Sequence, residues 1–177
     1  RSKVMGKSIL NLIIIFIVMV TAQVVIFNNI CLFNIAIPII FIYFIVRLPI
    51  SININIAMTI AFITGLIVDI FSDTQGIHAL SCTFISFNKR NILRLYITRD
   101  DDISDDEVTI KTIGFSAYFK YLLTIVLLYC TLVFSIEAFT FFNILQLFLR
   151  IICSTLFSFL LILGFERILN SRSEKRL

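Results

Sequence analysis

Gly65-Leu66-Ile67-Val68-Asp69-Ile70-Phe71-Ser72-Asp73-Thr74-Gln75-Gly76-Ile77-His78-Ala79-Leu80 places a carboxylate at the end of an apolar run, follows it with a short polar turn, and restarts an apolar run after Gly76. A charge at the end of a hydrophobic helix is costly in lipid, so Asp69 reads as a device rather than a chance residue. Apolar runs continue outward from this segment in both directions. The chain of 177 residues is 59% hydrophobic and 15% charged, with a mean hydropathy of +1.03. A soluble domain carries about a quarter charged residues and under about half apolar ones. The composition therefore excludes a soluble globular domain and implies an all-α integral membrane protein. One spanning helix takes about 20 residues. Six transmembrane helices with their loops use the whole length, which leaves a single polytopic membrane domain over residues 1–177.

The expected spans are roughly 9–27, 30–46, 52–71, 77–93, 113–134 and 142–165, with a cytoplasmic loop over about 94–112. Asn28-Asn29 makes the first turn. Pro38 lies inside span two and is expected to kink it by removing one backbone hydrogen bond; Arg47-Leu48-Pro49 ends that span. Span four has a short apolar core. Either Lys89, Arg90 and Arg94 snorkel from its last turns, or the span is short and tilts little. Lys89–Arg99 mixes basic and apolar residues, which suits a segment lying on the membrane surface against lipid. Asp100–Glu107 is acidic, and Ser104-Asp105-Asp106-Glu107 fits a capping box that starts the fifth helix. Asp100, Asp102 and Ser104 match the first ligand positions of a calcium loop. Asp105 stands where that loop needs Gly and Lys111 where it needs Glu, so it fails the pattern.

The net charge of +4 sits at helix ends. The N-terminus, the Arg47 loop, the Lys89–Lys111 loop and the tail with Arg167, Arg172, Lys175 and Arg176 are basic, whereas the turns at Asn28, Asp69–Gln75 and Glu137 carry no basic residue. That alternation predicts cytoplasmic termini at both ends and orientation signals rather than nucleic-acid binding. The apolar run Ile9–Phe27 is longer than a signal-peptide core and no cleavage site follows, so it reads as an uncleaved first span. Trp is absent, which leaves interfacial anchoring to Tyr, Lys and Arg.

Ala57, Ala61, Gly65 and Asp69 recur every fourth residue and share one face of span three. Small residues let helices approach closely in lipid, so this face is a packing seam with the carboxylate at its end. Gln146, Arg150, Ser154 and Ser158 form a polar stripe at the same spacing on span six. Such a stripe is uncomfortable against lipid. Arg150 sits about 10 Å inside the membrane by helical rise. It either approaches Asp69 or Asp73, directly or through water, or snorkels outward alone. His78 is the one histidine, and with no second ligand nearby it reads as a structural residue that caps the fourth helix or contacts Asp73. Cys31, Cys82, Cys130 and Cys153 have neither metal-ligand nor redox spacing. No nucleophile elbow, phosphate loop, zinc motif or paired carboxylates occur, so the expectation is a non-enzyme with no metal and no cofactor.

The segment Gly65–Leu80 resembles the signature of the MreD family of rod-shape-determining membrane proteins. The family shows a Gly-Leu pair, an Asp shortly after, then a Gly and a helix start around His-Ala; here these are Gly65, Leu66, Asp69, Gly76, His78 and Ala79. The chain is also similar to the family in length, in its nearly all-membrane plan and in its basic termini. The resemblance implies a bacterial inner-membrane scaffold. Its partners would be an MreC-like single-span protein and the elongation machinery of MreB, RodA and a penicillin-binding transpeptidase. It also implies a six-helix fold like the substrate-binding component of energy-coupling-factor vitamin transporters. The alternative function is therefore a substrate-binding transporter subunit, with Asp69, Asp73, His78 and Arg150 lining a pocket. The short outer turns, poor in Trp and Tyr, count against it. A lipid contact is a third reading.

Overall fold

The computed structural model describes residues 2–25, 38–97, 108–138 and 144–174, and the regular structure there is helix alone. The helices are α1 (Ser2–Val25), α2 (Ile42–Arg47), α3 (Ile54–Ser72), α4 (Ile77–Arg94), α5 (Ile110–Ile113), α6 (Phe115–Glu137) and α7 (Ile144–Glu174). Three are long and apolar enough to cross a membrane: α3, α6 and the Ile144–Ile168 portion of α7. A shorter apolar stretch, Leu12–Val25, lies in α1. The expected Asn28-Asn29 turn, Cys31, and the acidic run with its capping box at Ser104–Glu107 lie outside the described residues.

Helix α6 is the centre of the packing. Tyr118, Tyr121, Leu122, Ile125, Val126, Tyr129, Cys130 and Val133 are buried at helical spacing, and the helix packs against both α4 and α7. Helices α3 and α4 form the most closely packed pair, an antiparallel hairpin joined by the short turn after Ser72.

Span two departs from a kinked continuous helix. Pro38, Ile39 and Ile40 are not helical, and α2 then lasts only from Ile42 to Arg47. Proline lacks the N–H that a helix needs. The polar groups of this irregular stretch must still be satisfied inside an apolar bundle. Gln23 from α1 does so with both ends of its amide: Nε2 donates to the Pro38 carbonyl at 3.2 Å, and Oε1 accepts the Ile40 N–H at 2.8 Å. Ser158 from α7 accepts the Ile39 N–H at 2.7 Å. Span five also starts differently. A single turn, α5, is capped by the Thr109 and Thr112 side chains, and Gly114 at φ +79° breaks the chain direction before α6 begins at Phe115.

Of the three basic residues ending α4, Arg94 is exposed, whereas Lys89 and Arg90 turn back onto backbone carbonyls rather than reaching outward. Lys89 is buried, and its ammonium donates to the carbonyls of Ile45, at 3.0 Å, and of Leu48. It thereby closes the C-terminal end of α2, where unpaired carbonyls and the helix dipole attract a cation. Arg90 donates to the carbonyls of Ile50 and Ile52. Lys89→Met should therefore leave two buried carbonyls without this donor and lower the thermal midpoint in detergent by several degrees, at a cost of about 2 kcal/mol. Lys89→Arg should recover part of the loss; equal midpoints for Met and wild type would show that α2 does not depend on this cap.

Next to this cap lies a buried acid. Glu166 of α7 is fully buried, accepts the Tyr43 hydroxyl, and faces the Arg47 guanidinium at 3.4 Å. Arg47, Lys89, Arg90 and Glu166 thus gather at one end of the bundle, while Asp69, Asp73 and Glu137 belong to the opposite end.

Candidate functional site

The α3–α4 hairpin is built around one close approach. Gly65 is buried, and a Cβ added there would lie 2.5 Å from the Cα of Ala79, 2.6 Å from its nitrogen and 2.6 Å from the His78 carbonyl. All three neighbours are backbone atoms, so the two helices touch main chain to main chain at this point. The remainder of the small-residue face follows suit: Ala61 and Asp69 are buried and Ala57 is half-buried.

One turn beyond Gly65, Asp69 completes the hairpin. Its Oδ1 accepts the His78 N–H at 3.0 Å and the Thr74 hydroxyl at 2.5 Å, and its Oδ2 accepts the Ala79 N–H at 2.8 Å. The first N–H groups of any helix lack internal partners and carry the positive end of the dipole. A carboxylate on α3 therefore serves as the N-terminal cap of α4, nine residues away from His78. The turn between them takes the left-handed conformation twice, at Asp73 (φ 54°) and at Gly76 (φ 78°). Asp tolerates that region and Gly enters it freely. The Thr74 N–H closes back on the Asp69 carbonyl at 3.1 Å. Asp69→Ala should speed amide exchange across the first turn of α4, read on peptides covering residues 74–82, and cost about 1–2 kcal/mol. Asp69→Asn keeps one acceptor and should fall between. Unchanged exchange in the alanine variant would sink the capping role.

His78 neither caps through its side chain nor contacts Asp73. Its ring stacks on Tyr129 with 14° between planes, and Nδ1 lies 2.6 Å from the Tyr129 hydroxyl. Phe41 meets both rings edge-on, at 5.9 Å from His78 and 5.8 Å from Tyr129. The imidazole thus ties the start of α4 to α6 and to the irregular segment before α2. Above it opens a cavity of about 310 Å³, lined by Gln23, Ile39, Ser72, His78, Phe134 and Glu137 among others.

Arg150 does not pair with either aspartate. Both oxygens of Asp69 are taken by the α4 cap, and among the described residues no ion pair joins Arg150 to Asp69 or Asp73. The reason is topological: α7 packs chiefly on α6, whereas Asp69 faces α4. Along the polar stripe Gln146 is exposed, Arg150 half-buried, and Ser154 and Ser158 fully buried, with Ser158 bound to Ile39. Leu66 is exposed on the outer side of the hairpin. Among the described residues no group of three His, Cys, Asp or Glu side chains is placed to hold a metal ion.

Sequence reasoning passed over Gln23, Lys89 as a cap, the Tyr43–Arg47–Glu166 group, and Tyr129. An amide inside an apolar run was the available signal for Gln23, since polar groups at that depth require partners, whereas Glu166 lies just past the expected end of span six, beside Arg167. Tyr43 and Arg47 also stand four residues apart, on one helix face.

Among the described residues the regular structure is helix alone, three helices are long and apolar enough to span a bilayer, and polar groups turn inward onto broken backbone, which are the features of a helical membrane protein. No protein-family model, no curated protein and no solved structure matches it.

Proposed function

We propose that this chain is a non-enzymatic scaffold of the bacterial cell-elongation complex. In this reading it is a six-span inner-membrane protein that binds an MreC-like single-span partner alongside MreB, RodA and a penicillin-binding transpeptidase, and so supports rod shape and peptidoglycan synthesis. The observation that carries the reading is the Gly65–Leu80 hairpin. The residues that resemble the MreD signature are the ones that build it: Gly65 permits the backbone contact, Asp69 caps α4, and Gly76 takes the left-handed turn. The result is a rigid two-helix unit whose outer faces carry exposed Phe62, Leu66, Ile70, Leu80 and Phe84, a surface suited to another helix. With the basic end of the bundle in the cytoplasm, both termini are cytoplasmic and the hairpin turn faces outward.

The test is purification of the tagged chain from its native membrane in mild detergent, with mass spectrometry of what accompanies it. Co-purification of an MreC-like single-span protein with cell-wall enzymes supports the scaffold. The cavity of about 310 Å³ beside His78 favours a second reading, a vitamin-transporter subunit of the energy-coupling-factor type, because small-ligand pockets start near that size. Recovery of an ATPase pair with a second membrane subunit, and no MreC-like protein, would establish that reading in place of the scaffold.

A further inference from the structure

On the side of the α3–α4 hairpin away from α6 runs a groove of about 510 Å³. Buried Ala79 forms its floor, and Phe62, Leu66, Leu80, Phe84 and Phe87, all between 40% and 58% exposed, form its walls. Leu66 and Gly76 also line a second hollow at the turn, of about 370 Å³, with Asp69, Asp73, Thr74 and Gln75. The shared residues make one continuous channel along the hairpin, apolar over about 15 Å of α4 by helical rise and acidic at the turn end. The hairpin cannot close over it, because the Gly65 contact and the Asp69 cap fix the distance between the two helices.

We infer that this channel seats a single transmembrane helix of a partner that carries a Lys or Arg at the membrane boundary beside Asp73. The inference rests on the scaffold reading and names the surface that reading needs. Two features of the site select a helix of that kind, and the second also disfavours a lipid. Rigid aromatic walls over a small floor residue give the close, interdigitated contact on which helix association in lipid depends, since hydrophobicity alone does not drive it there. Of the two carboxylates at the acidic end, that of Asp73 is exposed and receives no hydrogen bond among the described residues, whereas the oxygens of Asp69 are occupied by the α4 cap. A cation on the partner would answer that charge. A phospholipid entering from the same end would instead bring its phosphate against two carboxylates, a like-charge arrangement that disfavours it.

The test uses the full chain in its native membrane, with the photoreactive residue p-benzoylphenylalanine placed at Phe62 or Phe84, where an aromatic already stands. The same residue at Phe148 and Leu160, exposed on α7, provides the controls. The expected result is a discrete protein adduct from the two groove positions and none from α7. Mass spectrometry should place the joined residue in the transmembrane segment of a single-span protein with a basic residue at its boundary. Asp73→Lys should lower adduct yield by at least about tenfold, the equivalent of about 1.4 kcal/mol, and Asp73→Asn by less. Adducts to lipid alone at Phe62 and Phe84 would overturn the proposal, as would an adduct yield indifferent to Asp73→Lys. If the single-span partner co-purifies but crosslinks only from α7, the scaffold stands and the groove is not its seat. If no such partner is recovered by either route, both readings fall together.

Discussion

Gly65→Leu should abolish the native packing of the α3–α4 hairpin, and Gly65→Ala should already weaken it. The atoms that a Cβ would strike belong to the backbone of His78 and Ala79, at 2.5 to 2.6 Å, so no side chain can rotate away and the helices must separate. Inserting one carbon into a packed interface costs about 1–3 kcal/mol, and a branched side chain costs more. The thermal midpoint of the purified protein in detergent should drop by roughly 2–10 °C for the alanine variant. The leucine variant should be recovered poorly or as aggregate. The backbone nature of the contact has a sharp corollary: Ala79→Gly in the Gly65→Ala background should give no rescue, because the clashing atoms remain. A rescue, or a wild-type midpoint for Gly65→Leu, would show that the two helices do not meet there. Gly76 provides the contrast. It has open space around it and only its φ of +78° resists substitution, so Gly76→Ala should cost about 1 kcal/mol and leave the hairpin assembled.

Glu166→Gln should be the most damaging conservative change in the chain. It keeps the size of the side chain and an acceptor for Tyr43, but removes a buried carboxylate that faces the Arg47 guanidinium. Breaking a buried ion pair from one side costs about 3–5 kcal/mol, because the remaining charge has been desolvated without compensation. The low end applies here, since Arg47 is 14% exposed and retains some access to solvent. The midpoint should fall by roughly 10 °C. Replacing both partners, Arg47→Met with Glu166→Leu, should restore most of the stability, since an apolar pair of similar volume does not incur the desolvation. If the double variant were as unstable as the single one, the loss would lie in packing around Tyr43 rather than in charge. If Glu166→Gln were silent, the pair would carry no stability.

The turn and the small-residue face of the hairpin were legible from the sequence because their determinants are local, whereas the capping of α4 by Asp69 was not read. Gly65, Asp69 and Gly76 act within sixteen residues of one another, and helical spacing alone aligns Ala61, Gly65 and Asp69 on one face. The start of span four, at Ile77 after Gly76, was legible for the same reason; its end, at Arg94, was not, because basic and apolar residues mix from Lys89 onward. What sequence reasoning missed depends on contacts across the chain. Lys89 looked like a surface charge because nothing near it in sequence offers the carbonyls of Ile45 and Leu48. Pro38 signalled a disturbance, but whether the helix kinks or breaks was decided by Gln23 and Ser158, which supply the lost hydrogen bonds from 15 and 119 residues away. Arg150 and Asp69 appeared complementary in charge and depth, yet the order of helices in space, which one sequence does not encode legibly, keeps them on different neighbours.

The irregular stretch at Pro38–Ile40 and the short helix after it are both tied to the last helix, through Ile39 to Ser158 and through Tyr43 and Arg47 to Glu166. These partners lie 119 to 123 residues later in the chain. At a synthesis rate of about 5–20 residues per second, the second segment waits roughly 6–25 s before its partners emerge. During that interval the Ile39 amide and the Arg47 charge must be held by water at the membrane surface or by the insertion machinery. Biogenesis therefore cannot be completed from the N-terminus forward, and a ribosome that stops short of α7 leaves a product with its second segment unsatisfied and open to membrane proteases.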